Sequence, residues 1–236
     1  MKKTGDNIKA ENAGWTFGGS TVENFQEHVG KSVPLYAEGH QLICQLSDFF
    51  IKPDSVCYDI GTSLGTLLYL LQRHNSRKMN VQWIGIDCEE DMIKKAQEKN
   101  MINNIIFQTE DIITYDLEPS DFITAYYTLQ FIEAKHRQEV ITKIYEALNW
   151  GGGFVLFEKV RAPDARFQDM ITTLYMNYKI QAGYSPEEIL NKRNSLKGIL
   201  DPFTSQANVS LLKRAGFVDI TTIQQSLCFK GILAIK

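Results

Sequence analysis

The chain has 236 residues, 44% hydrophobic and 22% charged, so it can bury one large core and reads as one large domain or one domain with an insertion. Its net charge of −3 argues against direct nucleic-acid binding as its main task. No apolar stretch follows the two lysines after Met1, and no run is long enough to span a membrane. Cys44, Cys57, Cys88 and Cys228 form no C-x-x-C pair, so the expectation is a reduced, cytoplasmic protein without a metal centre.

Residues 1–20 are polar apart from Trp15 and Phe17 and read as a mobile arm, with those two rings closing over a pocket when ligand binds. Phe25 to Phe50 has a helical pattern broken near Ser32-Val-Pro-Leu-Tyr36, where proline removes an amide donor. Residues 1–50 are thus an N-terminal arm with helices covering the site, and 51–236 are the main domain. A turn at Lys52-Pro-Asp-Ser leads into a strand at 55–60, a helix at 64–74 and a strand at 81–86. Glu89–Asn100 follows as a helix with acids early and lysines late, matching the helix dipole. Asn103–Gln108 and Ser120–Tyr127 are strands, Ala134–Leu148 a helix, and Phe154–Lys159 a fifth strand behind Gly151-Gly-Gly153.

Such alternation predicts a parallel, doubly wound, Rossmann-like α/β sheet. It breaks at 162–200, which holds two helical stretches, Asp164–Gln181 and Pro186–Leu200. Ser185 between them is an N-cap with Glu188 in capping-box position. This is an inserted helical cap after the fifth strand, equally readable as a homodimer arm. A helix at 204–215 and strands at 217–223 and 227–235, joined by Gln224-Gln-Ser, complete seven strands with an antiparallel C-terminal edge.

Ligands of such sheets lie outside the carboxyl ends of the strands. The first strand ends in Asp59 and turns through Gly61-Thr62-Ser63-Leu64-Gly65, and the second ends in Asp87. Glycines let a backbone approach a ligand, and an acid at the next strand tip can accept both ribose hydroxyls. The spacing is wrong for a dinucleotide fingerprint, and Asp59 would repel a pyrophosphate while holding an ammonium. Asp111 and Ile112 stand at the third strand end, an acid and an aliphatic face suited to adenine. The loop resembles the first motif of class I S-adenosylmethionine-dependent methyltransferases, which implies S-adenosyl-L-methionine as cofactor.

Along nearly its whole length the chain resembles the carboxy-S-adenosylmethionine synthase group and its methyltransferase relatives. The resemblance is carried by Gly14-Trp-Thr-Phe17, Ser32-Val-Pro-Leu-Tyr36, Tyr58-Asp-Ile-Gly-Thr-Ser-Leu-Gly65, Thr128-Leu-Gln-Phe131, Glu158-Lys159, Gly183-Tyr-Ser185, Lys192-Arg193 and Lys213-Arg-Ala-Gly-Phe217. It implies cofactor contacts from Tyr36, Gly61-Thr62-Ser63, Asp87-Cys88 and Asp111-Ile112. It makes Arg193 the ligand for the carboxyl group of carboxy-S-adenosyl-L-methionine, a bidentate match of guanidinium and carboxylate.

There are two departures. After the fourth strand the family carries an asparagine that contacts the unusual cofactor, where this chain has Tyr126 followed by Tyr127; Cys88 replaces a polar residue beside the ribose acid. These changes put methyl transfer from S-adenosylmethionine to a small, acidic acceptor first. Arg193 would then anchor the acceptor, and Tyr126, Tyr175, Tyr178 and Tyr184 are available to shape its pocket, one or two of them facing the site. His40 is the best placed base, although its ordinary reading is a surface side chain, and Tyr126 is a second catalytic candidate. The alternatives are carboxy-S-adenosylmethionine synthesis from prephenate, serving wobble-uridine modification of tRNA, and a non-catalytic S-adenosylmethionine-binding module.

Overall fold

The computed structural model describes residues 1–99 and 104–236. A two-strand hairpin, β1 (Lys2–Lys3) and β2 (Lys9–Ala10), precedes α1 (Ser20–Ser32) and α2 (Tyr36–Ser47). Next come β3 (Val56–Ile60), α3 (Thr66–His74), β4 (Gln82–Asp87), α4 (Glu90–Lys99), β5 (Ile105–Thr109) and β6 (Ser120–Tyr126). The chain continues through α5 (Ala134–Ala147), β7 (Leu148–Lys159), α6 (Ala165–Gln181), α7 (Pro186–Ser195), α8 (Ser205–Ala215), β8 (Asp219–Ser226) and β9 (Phe229–Ile235).

The main sheet has the order β5-β4-β3-β6-β7-β9-β8, parallel from β5 to β7, with β9 antiparallel to both neighbours. The expected seven-stranded, doubly wound sheet with an antiparallel edge is therefore present. Successive side chains of a strand point to opposite faces, and both faces here are covered. On β7, Val155 and Phe157 join a core with Leu67, Leu68 and Leu71 of α3. Phe154 and Leu156 join another with Val140 and Ile144 of α5 and Leu212 of α8. Burying each such side chain contributes roughly 1.5–3 kcal/mol, which fixes the register and hence which residues reach the strand tips. Because β3 pairs with β4 on one side and β6 on the other, the chain reverses direction across the sheet there, opening a crevice above β3.

Several boundaries differ from the pattern-based expectation. Residues 1–20 form no free arm: Ile8, Ala10 and Trp15 are buried. Ala13 and Trp15 donate backbone N–H groups to Asn194 and Ser195, and Asn191 Nδ2 donates to the Lys3 carbonyl. Helix α1 starts at Ser20 rather than near Phe25, and α7 ends at Ser195 rather than continuing to Leu200. Strand β7 begins at Leu148 because a register shift between Ser120 and Phe122 absorbs the glycine run. The final hairpin turns at Leu227-Cys228, with Leu227 at φ 49°, so Gln224-Gln-Ser226 stays in β8. Asn100 and Asn103, placed at the ends of an expected helix and an expected strand, lie outside the described residues.

The insertion folds as two helices. Asp164 caps α6 by accepting from the Phe167 N–H, and Ser185 and Glu188 form the expected capping box of α7. The inner face of α6, with Ile171 and Tyr175, looks onto the crevice, while Phe167, Met170 and Leu174 are exposed on its outside.

Candidate active site

One cavity of about 970 Å³ lies between the strand tips and the insertion. Its floor is the β3–α3 turn. Gly61 (φ 70°) leaves no room for a Cβ, because the Thr128 side chain occupies that space. The Gly61 and Thr62 N–H groups both donate to the Ile86 carbonyl, at 2.8 and 3.0 Å, tying the turn to the tip of β4. Ser63 also has positive φ (51°), a conformation that orients its N–H onto Asp87 Oδ2 at 2.8 Å. Glu89 N–H meets the other oxygen, Oδ1, at 3.0 Å. The Asp87 carboxylate is thus held in place with lone pairs left for a ribose diol.

Asp59 is buried at the end of β3 and accepts from Thr124 Oγ1 at 2.7 Å. Burial pushes its pKa up to about 6, against the stabilising Thr124 hydroxyl. A buried carboxylate beside the loop, ionised above about pH 6, suits the ammonium of an amino-acid ligand. Burial, followed by the charge of Asp87, pushes the Cys88 thiol up to about 11, so it stays neutral at physiological pH. Asp111 is exposed, its Oδ1 accepting from the Ile113 N–H at 2.9 Å, and Ile112 beside it is buried. Tyr36, Asp59, Gly61, Thr62, Ser63, Asp87, Cys88, Asp111 and Ile112 all line this one cavity. Gly65 (φ 71°) does not; it turns the chain into α3 from just behind the wall.

Arg193 faces the same cavity from α7. Of the four tyrosines considered for a pocket, Tyr126 and Tyr175 line it and Tyr178 and Tyr184 do not. Tyr184 instead donates its hydroxyl to Asp6 beneath the N-terminal arm, near His28 and Ser32.

Tyr126 is a poor catalytic acid or base. Its hydroxyl donates to the Tyr36 carbonyl at 2.7 Å, and burial raises its pKa far above the ordinary tyrosine range. That bond pins α2 to β6. His40 is not a surface residue: it is buried with its ring centroid 4.7 Å from both Tyr36 and Tyr126. Burial lowers its pKa to about 4, so it is neutral near pH 7, and its Nε2 has no protein partner among the described residues. Trp15 Nε1 and Tyr127 Oη are unpartnered in the same sense, and all three side chains line the cavity. A row of acids at the strand tips beside an open, largely aromatic-walled volume fits a ligand that carries its own donors.

The sequence pattern did not announce Tyr127, Lys179 or the buried setting of Lys159. Tyr127 sits at φ 64°, with its N–H donating to the Phe157 carbonyl, a strained conformation that no residue pattern encodes. Lys179 had a readable signal: it lies four residues after Tyr175 on α6, and its ammonium sits 4.8 Å from that ring's centroid.

Residues 57–152 match the family model described as a methyltransferase domain, which covers the strand-and-acid half of the cavity. The carboxy-S-adenosyl-L-methionine synthase of Staphylococcus epidermidis is 36% identical over 94% of this chain and 97% of its own length. That of Nautilia profundicola is 36% identical over 90% of each chain. The chain belongs to the carboxy-S-adenosylmethionine synthase family of class I methyltransferase folds. It is a transferase that uses S-adenosylmethionine. Solved structures agree on the fold. Human N-acetylserotonin methyltransferase in complex with SAM superposes with a TM-score of 0.61 at 17% identity, covering 91% of this chain and 54% of that one. An O-methyltransferase-like protein of Nostoc punctiforme gives 0.63 at 18%, over 92% and 59%. The acids of β3, β4 and the β5 end line one part of the cavity, and helices of the insertion line another. Among the described residues no helix is long and apolar enough to cross a membrane, and no cluster could hold a metal ion.

Proposed function

We propose that this protein carboxylates S-adenosylmethionine, with prephenate as the carboxyl donor. The observation that carries this reading is Arg193: its guanidinium shares one cavity with Asp59, Asp87 and Asp111, where a carboxyl group added to the bound cofactor needs a bidentate partner. Full-length similarity to synthases of the carboxylated cofactor supports the same choice and reverses the order expected from the Tyr126 substitution. The stoichiometry balances. Prephenate loses CO2 and hydroxide to become aromatic phenylpyruvate, the sulfonium methyl loses a proton and gains the CO2 carbon, and hydroxide and proton leave as water.

In this reading the chain's residues bind, orient and exclude water rather than form bonds. Asp87 takes the ribose, Asp59 the ammonium, and Ile112 the adenine face. The aromatic wall of Tyr36, Tyr126 and Tyr127 keeps bulk water from the reacting carbon. Tyr36 and Tyr126 ring centroids lie 5.0 Å apart, close enough to leave little room for solvent between them.

Methyl transfer to an acidic acceptor is the second reading, favoured by one observation. Tyr126 spends its hydroxyl on Tyr36, so the amide contact of the family's asparagine is missing. Arg193→Met separates the two. Under the carboxyl reading the variant binds S-adenosylmethionine with unchanged affinity but yields less than about a tenth of the carboxylated cofactor. Equal yields from variant and wild type would sink the assignment of Arg193.

A further inference from the structure

Three lysines on three elements converge on the side of the cavity opposite the acids: Lys159 at the end of β7, Lys179 on α6 and Lys192 on α7. Lys179 and Lys192 are each only 8% exposed. Instead of carboxylates, their ammonium groups face aromatic rings. Lys159 lies 4.6 Å from the Tyr175 centroid and 5.9 Å from Phe229, Lys179 lies 4.8 Å from Tyr175, and Lys192 sits on Trp15. Among the described residues none of the three has a carboxylate within ion-pairing distance. Asp6, the acid whose charge reaches Lys192, is already engaged by Tyr184, His28 and Lys31.

Cations buried together without a counter-ion are costly. Burial lowers the pKa of each lysine, and the charge of Lys159 further lowers those of Lys179 and Lys192. Rings compensate only part of this. A ligand bringing two negative charges would turn the remaining cost into affinity. The surrounding wall is apolar, with Tyr127, Val160, Ile171 and Phe229, so the body of that ligand is ring-like and its charges are peripheral.

We propose that Lys159, Lys179 and Lys192 form a subsite for a ring-bearing dicarboxylate beside the adenosylmethionine site. The proposal rests on the carboxyl-transfer reading only in naming prephenate as the occupant; the charge argument stands without it.

The test uses the full chain with Lys179→Met and Lys192→Met, read by titration calorimetry and thermal melting. Methionine keeps the length of the side chain and removes the charge. Each variant is expected to weaken prephenate binding roughly tenfold or more and to leave S-adenosylmethionine affinity within about twofold. Each should also melt no lower than wild type without ligand, because like-charge repulsion is relieved. Lower melting with undiminished prephenate binding would mark the lysines as structural and overturn the proposal. Phenylsuccinate, a ring-bearing dicarboxylate that cannot donate its carboxyl by aromatising, serves as a second probe. If prephenate does not bind but phenylsuccinate stabilises the wild type and fails to stabilise Lys179→Met, the subsite stands and the carboxyl-donor reading falls. Stabilisation by neither anion overturns the subsite.

Discussion

Asp59 illustrates how one residue couples ligand binding to pH. Its pKa in the fold, about 6, lies above the ordinary 3.8, because a buried carboxylate beside Asp87 resists ionising more than the Thr124 hydroxyl assists it. A carboxyl with a raised folded pKa makes the free protein less stable as pH climbs from about 4 to 6, since the native state then holds the extra proton. With Asp59 holding the ligand ammonium, as proposed, binding has the opposite dependence, because an ammonium needs the ionised form. Calorimetry from pH 7.5 down to 5 should therefore show S-adenosylmethionine affinity falling below pH 6, with Asp59→Asn flat over that range and roughly tenfold weaker at pH 7.5. A pH-independent affinity in the wild type would contradict this role. The position of such residues was legible in the sequence, because an acid before G-x-S-x-G and another at the end of the next apolar run mark adjacent strand tips. Tyr126 and His40 were not. Whether a tyrosine hydroxyl meets substrate or the Tyr36 carbonyl 90 positions earlier depends on how α2 docks on β6, and local pattern does not encode that.

Among the elements, the N-terminal hairpin departs furthest from expectation. Its residues are mostly polar because its hydrogen-bonding partners, α7 and Tyr184, come from the other end of the chain. His28 on α1 holds it there, donating from Nδ1 to Asp6 at 2.8 Å, with Trp15 stacked on the imidazole at 5.6 Å between centroids. Burial first, then Lys192 and Lys179, lowers the His28 pKa to about 4, with Asp6 opposing. The imidazole is thus neutral in the fold, and the unfolded chain takes up its proton first as pH falls below about 6.5. The stabilisation is complete above that point and is lost progressively towards pH 4. His28 lowers the melting temperature on going from pH 7 to pH 5 while Asp59 opposes it, so the change in melting temperature of wild type minus that of His28→Gln over this range should be negative. An identical pH dependence in the variant would remove His28 from the account. Strands and helices of 51–160 were read to within a few residues because their period-2 and helical patterns face a core on both sides. The glycine-rich start of β7 and the last turn of α7 were misread because pairing partners, not composition, set those ends.

At the scale of the molecule, strand tips β3 to β5 supply acids, the tip of β7 and the insertion supply cations, and the two groups line one cavity of about 970 Å³. In the proposed function that polarity would sort a sulfonium amino acid to one side and a multiply charged anion to the other. The fold was foreseeable from alternation, and the gathering of the strand-tip acids in one cavity from the motif. The choice of chemistry was not, because Tyr126 at the end of β6 pointed to methyl transfer while Arg193 on α7 pointed to carboxyl transfer, and only the fold shows Tyr126 bonded to the Tyr36 carbonyl and Arg193 lining the cavity. The most direct measurement is accurate-mass analysis of the cofactor after the purified protein is incubated with S-adenosylmethionine and prephenate. The account predicts a sulfonium product heavier by one CO2, formed in step with phenylpyruvate. Unchanged S-adenosylmethionine, or S-adenosylhomocysteine released only when a methyl acceptor is added, would contradict it.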